Sequence, residues 1–113
     1  MANAKYDLAL IVGCDFGPVL FRLRDADEEP IPLNGSSVAA QIRTTPEAKL
    51  LANLAPVISD AEDGEISLSI AADVVAGIPP GGHGWDLILT DANGRKSLLL
   101  SGSVKVTRAY THA

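Results

Sequence analysis

The chain has 113 residues, of which 47% are hydrophobic and 20% charged, a balance typical of one globular domain and not of a disordered segment. Its formal charge of −5 and its scattered cations argue against a nucleic-acid-binding surface, apart from a local group of Arg22, Arg24 and Arg43. The single cysteine, Cys14, excludes an internal disulfide and a multi-thiolate metal site.

The first segment, residues 1–12, does not have the pattern of a secretory leader. It lacks a basic stretch followed by an apolar run and a small-residue cleavage site. No part of the chain approaches the roughly 20 apolar residues that cross a bilayer. We therefore expect a soluble protein that folds in a reducing cytoplasm and has no membrane partner.

Apolar residues alternate with period two in three segments of the first half, 6–12, 19–24 and 38–43. This pattern is expected of strands that bury one face. In the second segment it predicts that Arg22 and Arg24 point outward. Turn sequences rich in glycine, proline and acidic residues separate the three strands.

Two parts of the following stretch are less regular. Leu33, in a loop beside Asn34-Gly35, is predicted to be a buried plug. Residues 49–58 fit either helical spacing or strands, but Pro56 would be costly inside a helix and is tolerated on an edge strand. The sequence therefore favours a strand there.

A regular strand and a short helix are predicted next. Residues 66–70 alternate without interruption, and residues 71–76 form the one plausible helix. Ser69 would cap that helix, and Asp73 would suit its first turn because a carboxylate is favoured at a helix N-terminus.

The last third of the chain predicts a β-hairpin. A tight turn at residues 79–84 leads into a strand over 85–90, and Asn93-Gly94 supplies the positive φ of a hairpin turn. The return strand begins at Ser97, passes a predicted bulge at Gly102 and continues to about Arg108.

These elements together predict about seven short strands and one short helix. Turn signals every 8–15 residues are typical of an all-β fold. The prediction is an antiparallel β-sandwich, immunoglobulin-like in general shape, forming a single domain over residues 1–113. A small barrel is the alternative.

No residue pattern predicts catalysis, a cofactor or a metal site. Most carboxylates fall in two turn sequences, 25–29 and 60–65, where such groups usually bind local backbone amides and solvent. The second turn superficially resembles a calcium loop but lacks the later ligands, including the bidentate glutamate. We therefore expect no enzymatic activity.

Histidine, cysteine and tryptophan give no stronger signal. His83 and His112 are isolated and lie outside any zinc-ligand spacing. A nucleophilic set of Cys14, His83 and Asp86 has no local support. Trp85 starts a predicted strand, where a lone tryptophan packs in the core more often than it serves as a binding anchor. We therefore expect Trp85 to be a core residue.

The order of features across the chain resembles a known class of protein. In chain order these are residues 21–25, a Leu-Asn-Gly-Ser loop (33–36), residues 40–43, a turn glycine and strand (64–70), a short helical segment (71–77), the strand Trp85-Asp86-Leu87, a hairpin turn (91–95) and a strand pair (98–106). The arrangement is similar to the small β-sandwich domains of tailed-phage virion proteins, in particular the N-terminal domain of siphophage upper-baseplate proteins. The resemblance covers about residues 15–108.

The resemblance implies a phage or prophage virion protein, made in the host bacterial cytoplasm, that acts through protein–protein contacts. A tail or baseplate accessory or adaptor subunit is the first expectation, with other phage structural proteins as partners and a homo-oligomer or larger complex as the assembly. The chain ends at Ala113 without the helical linker and distal domain of the baseplate proteins, which argues against direct anchoring of receptor-binding subunits. A head decoration protein and a small carbohydrate-binding module are the alternatives.

Several residues fall on the nominally outward rows of their strands and are the candidate interface. They are Ile11, Leu20, Arg22, Arg24, Ile88 and Leu99. Aliphatic residues on outer faces indicate either burial against a partner, as in proteins that assemble through their sheets, or an error in assigning the faces.

Overall fold

The computed structural model describes residues 4–110 and shows two β-sheets packed face to face. These residues contain nine strands and one short helix. The strands are β1 (Ala4–Lys5), β2 (Leu8–Val12), β3 (Phe16–Arg22), β4 (Ser37–Arg43), β5 (Ala52–Leu54), β6 (Val57–Asp60), β7 (Glu65–Ile70), β8 (Gly81–Thr90) and β9 (Lys96–Arg108); the helix is α1 (Ala72–Ala76).

The two sheets differ in size. The large sheet has the order β1-β9-β8-β4-β5, with β2 also paired to β9, and the small sheet has the order β3-β7-β6. All neighbours are antiparallel except β1 and β2, which run parallel to β9. In their order across each sheet, β3-β7-β6 match strands B, E and D of an immunoglobulin sandwich, and β9-β8-β4-β5 match G, F, C and C′. The predicted immunoglobulin-like β-sandwich is therefore confirmed.

The core lies between the sheets and is built from aliphatic side chains. Its most deeply buried members are Leu8, Leu10, Leu33, Ile42, Ile66, Leu68, Val75, Ile78, Leu87, Val104 and Val106. The alternation predicted for β2, β4 and β7 is confirmed by their burial patterns. The predicted plug Leu33 is also confirmed, because its side chain is only 1% exposed.

Residues 49–58 contain two strands that belong to opposite sheets. β5 pairs with β4 in the large sheet, and β6 pairs with β7 in the small sheet. Pro56 lies in the crossover between them and not on an edge strand. A proline is tolerated in such a crossover because no ladder hydrogen bond is required from its nitrogen.

The predicted bulge at Gly102 is wrong, because the register shift occurs at Leu99. Leu87 pairs with Leu100 while Ile88 pairs with Leu98, so Leu99 is an extra residue opposite a normal step of β8. The bulge resets the alternation, and both Leu99 and Leu100 become buried.

Residues 81–84 are part of β8 and not a tight turn. They pair with residues 103–106 of β9, and Gly84 also pairs with Arg43. Glycine is a poor strand former, so the strand is imposed here mainly by its pairing with β9, which the local sequence does not reveal.

Helix α1 begins after Ala71, and Ser69 does not cap it. The carboxylate of Asp15, from the turn between β2 and β3, accepts the backbone N–H of Ala72 at 2.7 Å. Asp73 lies in the first turn as predicted.

Candidate interaction surfaces

The outer face of the large sheet carries a row of aliphatic side chains. The strand register aligns Ala39 on β4 with Ile88 on β8, and Ile88 with Leu98 on β9. Ile88 is 37% exposed and Leu98 is 39% exposed. We call these three residues the aliphatic row.

A shallow groove of about 490 Å³ adjoins this row. Lys5 on β1 lies on one side, and the turn of residues 44–46 after β4 lies on the other. Between them Gly84 and Asp86 of β8 and Ser101 of β9 form the floor. Because Gly84 has no side chain, the middle of the sheet stays open at this point.

The outer face of the small sheet has a second, smaller apolar pair. Leu20 on β3 and Val57 on β6 both pair with Ser67 on β7, so they flank it. They are 45% and 60% exposed. This face therefore also presents aliphatic surface to the solvent.

Arg22 and Arg24 bind the acidic turn between β6 and β7. Arg22 lies 3.0 Å from Glu65 and 3.7 Å from Asp63. Arg24 donates to the backbone carbonyl of Asp63 at 2.7 Å and to its carboxylate at 3.0 Å. Both arginines thus join the loop after β3 to the turn after β6 within the chain, a role that the sequence analysis did not foresee.

The residues of the predicted interface do not form one surface. Ile11 and Ile88 lie on outward rows of the large sheet, whereas Leu20, Arg22 and Arg24 lie on β3 or just after it, on the side of the small sheet. Leu99 was wrongly assigned to an outward row, since the bulge turns its side chain into the core and leaves it 3% exposed. Its neighbour Leu98 takes the outward position.

Trp85 is a core residue, as predicted, and is 4% exposed. Its indole N–H donates a 2.7 Å hydrogen bond to the carbonyl of Tyr6, where the edge strand is interrupted between β1 and β2. Phe21 packs beside both, with ring centroids 5.0 Å from Tyr6 and 6.5 Å from Trp85. The burial of Trp85 removes it as a platform for stacking a sugar ring.

Asp7 follows Tyr6 in the short gap between β1 and β2. Its carboxylate accepts the backbone N–H of Ser103 at 2.9 Å. This bond, and a further one from the Ser103 hydroxyl, hold the pKa of Asp7 below its ordinary value; Lys5 acts in the same direction and desolvation opposes them.

The structure does not assemble the nucleophilic set considered from the sequence. The two ring nitrogens of His83 are engaged by the Thr44 hydroxyl at 3.1 Å and by the Pro79 carbonyl at 2.6 Å, not by Cys14 or Asp86. Among residues 4–110, no group of three histidine, cysteine or acidic side chains is placed to hold a metal ion. His112 lies outside the described residues.

A second groove, of about 680 Å³, lies at the end of the sandwich where β2 ends and β8 begins. Cys14, Ile78, Pro79, Pro80 and Arg108 line it, and Cys14 is an exposed free thiol. Its lining is mainly apolar, with Arg108 as the charged side chain.

No family model matches the chain, and no curated protein matches its sequence. Solved structures that are similar to it over most of its length include the following two. One is the complex of ICOS with ICOS-L and an anti ICOS-L VNAR domain, at 11% identity and a TM-score of 0.46, covering 95% of this chain and 56% of that chain. The other is a family 123 glycoside hydrolase from Clostridium perfringens, at 12% identity and a TM-score of 0.40, covering 93% of this chain and 23% of that chain.

This chain therefore spans about half the length of the first of these proteins and about a quarter of the second. Within the described residues, no helix has the length and apolarity required to cross a membrane.

Proposed function

We propose that the chain is a structural subunit of a tailed-phage or prophage virion, an accessory or adaptor protein of the tail or baseplate. It acts through protein–protein contacts in a symmetric assembly and catalyses no reaction. The observation that carries the proposal is the pair of exposed aliphatic groups on the two outer faces, Ile88 with Leu98 and Leu20 with Val57.

Exposed aliphatic side chains on a sheet face favour association because burying them removes apolar area from water. The gain is about 25 cal/mol per Å², or roughly 1.5–3 kcal/mol for a fully buried leucine or isoleucine. A standard interface covers about 800 Å² per partner, roughly a ninth of the 7001 Å² surface of this chain.

Two apolar faces on opposite sides suit a subunit with two neighbours. The large sheet presents the aliphatic row and the small sheet presents Leu20 and Val57. A subunit that contacts one neighbour through each face can be repeated around a tail or across a shell. The resemblance of the sequence to the small β-sandwich domains of tailed-phage virion proteins is the reason for choosing this type of assembly.

The direct test is whether the chain is part of particles. An epitope-tagged form of the protein is expressed in cells that produce the particles encoded by the genes next to its own. The particles are purified and labelled with immunogold against the tag. We expect a fixed number of copies per particle, at the tail or baseplate. Label on the capsid would replace the tail assignment with head decoration, and particles without label would overturn the proposal.

A further inference from the structure

Charge is distributed unevenly over the molecule, and the outer face of the large sheet is basic. It carries four cations, Lys5, Arg43, Lys96 and Lys105, against two carboxylates, Asp86 and Asp7. Lys105 points outward because its neighbours Val104 and Val106 are buried, and Lys96 lies on the same side as Leu98. Within residues 4–110, no ion pair engages any of these six side chains.

The opposite charge is concentrated at one end of the small sheet, which we call the acidic end. It consists of the loop after β3 and the turn between β6 and β7, and it contains eight carboxylates and two arginines. These residues are Arg22, Arg24, Asp25, Asp27, Glu28, Glu29, Asp60, Glu62, Asp63 and Glu65.

Several contacts hold the two parts of the acidic end together as one surface. Leu33 donates a backbone hydrogen bond to Ala61 at 2.7 Å, and Leu23 donates one to Gly64 at 2.9 Å. Arg24 adds its bonds to Asp63.

The loop before Leu33 is ordered by the carboxylate of Asp25, which accepts the N–H groups of residues 27 and 29. The acidic side chains are therefore presented on a fixed backbone.

Within residues 4–110, no ion pair joins the basic face to the acidic end. They belong to different sheets of a sandwich whose extents are 44 × 30 × 22 Å. Exposed charges separated by more than about 10 Å are largely screened at 0.1 M salt. Contact between two molecules brings the same charges within reach of each other.

We propose that copies of this chain bind one another head to tail, with the acidic end of one copy seated on the basic outer face of the large sheet of the next. The inference rests on the proposed function, since it names the partner of a structural subunit. The groove between Lys5 and the turn of residues 44–46 receives the exposed loop 25–29, and the neighbouring Ile88 and Leu98 supply apolar contact.

A contact between two different patches is heterologous, so a joined pair of copies still has one free basic face and one free acidic end. Such contacts close into a ring if the rotation between copies divides a full turn, and otherwise form a filament. Both outcomes fit a protein repeated around a tail axis.

The test is charge reversal on each patch, measured by sedimentation velocity on the purified full chain over a range of concentrations. The face variant is Lys5→Glu with Lys105→Glu, and the end variant is Asp27→Lys with Glu29→Lys. A control, Lys49→Glu with Arg95→Glu, changes the net charge as much as the face variant but leaves both patches intact. Circular dichroism confirms that each variant is folded.

We expect the wild-type chain and the control to self-associate at low salt and to dissociate toward about 1 M salt, where the screening length falls to about 3 Å. The face variant and the end variant are each expected to lose association by at least about tenfold, or 1.4 kcal/mol. A chain carrying all four substitutions regains association, because both patches are reversed together.

Three results would overturn the inference: a wild-type chain that stays monomeric at low salt, equal loss in the control, or loss in the face variant alone. The last result would indicate two copies joined face to face. These outcomes are separate from the proposed function. A chain that is monomeric alone but present in particles would support the proposed function and contradict the head-to-tail contact. A salt-sensitive oligomer that is absent from particles would support the contact and contradict the proposed function.

Discussion

Gly102 lies where the interrupted edge strand approaches β9 most closely. A Cβ atom at this position would collide with the carbonyl oxygen of Tyr6 and lie 3.0 Å from the carboxylate of Asp7. The same Tyr6 carbonyl accepts the indole N–H of Trp85. The absence of a side chain at Gly102 therefore allows β1, β2 and the tryptophan to meet.

Gly102→Ala is expected to lower the free energy of unfolding by about 2–4 kcal/mol, because the Tyr6 carbonyl must move and the buried Trp85 N–H loses its acceptor. Gly84→Ala is a matched control one step away in the register. Its Cβ would meet its nearest atoms, backbone oxygens, only at 3.8 Å. Urea unfolding followed by tryptophan fluorescence compares the two, and an equal effect in both would contradict this account of Gly102.

Asp7 predicts a pH dependence of stability. Its pKa is lower in the folded chain because the carboxylate accepts hydrogen bonds from Ser103. The stabilisation is thus fully present above the ordinary pKa of 3.8 and is lost as the pH falls through the lower folded pKa.

Asp7→Asn is therefore expected to be less stable than the wild-type chain at pH 7, with a difference that shrinks as the pH falls below about 3.8. Denaturant midpoints at a series of pH values measure it. The control Asp27→Asn alters an exposed carboxylate that accepts no hydrogen bond within the described residues, and it is expected to show no such trend. A constant difference for Asp7→Asn at every pH would rule the interpretation out.

At the scale of elements, the helix is stabilised from a distance in the sequence. Asp15 accepts the Ala72 N–H, which has no partner within the helix, and 57 positions separate the two residues. The local sequence predicted a cap at Ser69, because a pattern of neighbouring residues contains no information on tertiary contacts.

Asp15→Ala is expected to cost about 0.5–2 kcal/mol, the usual loss when a capping side chain is removed. Asp15→Asn should retain most of the stability, since an amide oxygen can still accept the bond. Asp73→Ala alters only the charge in the first turn and is expected to cost less, at about 0.3–1 kcal/mol. Urea unfolding orders the three variants, and an Asp15→Ala chain as stable as the wild type would contradict the assignment.

The strands themselves followed from the sequence because period-two alternation reports directly which face is buried. The buried plug Leu33 and the hairpin turn at Asn93-Gly94 followed from equally local signals. Long-range pairing accounts for what was missed. Leu98, Leu99 and Leu100 are identical in chemistry, so no local pattern shows which one is the bulged residue.

The candidate surface was predicted only in part, for the same reason. Ile11, Leu20 and Ile88 are exposed, but only the sheet order shows that they lie on two different faces. Arg22 and Arg24 could not be matched to Asp63 and Glu65 from the sequence, because the pairing of β3 with β7 brings them together.

At the scale of the whole molecule, the sandwich places charges of opposite sign in distinct regions. The large sheet carries the aliphatic row among cations, and the small sheet ends in carboxylates. Single exposed leucines are common on protein surfaces. Aliphatic residues that are aligned across neighbouring strands instead form a continuous surface that another protein can cover. We therefore propose that the sheet faces themselves carry the function.

The most direct measurement is the number of copies per particle of an Ile88→Ser, Leu98→Ser chain, beside a Leu50→Ser control. Leu50 is 40% exposed but lies in the loop before β5, away from the row. We expect the control to be incorporated like the wild type and the double variant to fall at least about tenfold, with unfolding midpoints little changed because all three sites are on the surface. Incorporation of the double variant at the wild-type level would contradict the claim that the outer face of the large sheet makes the contact.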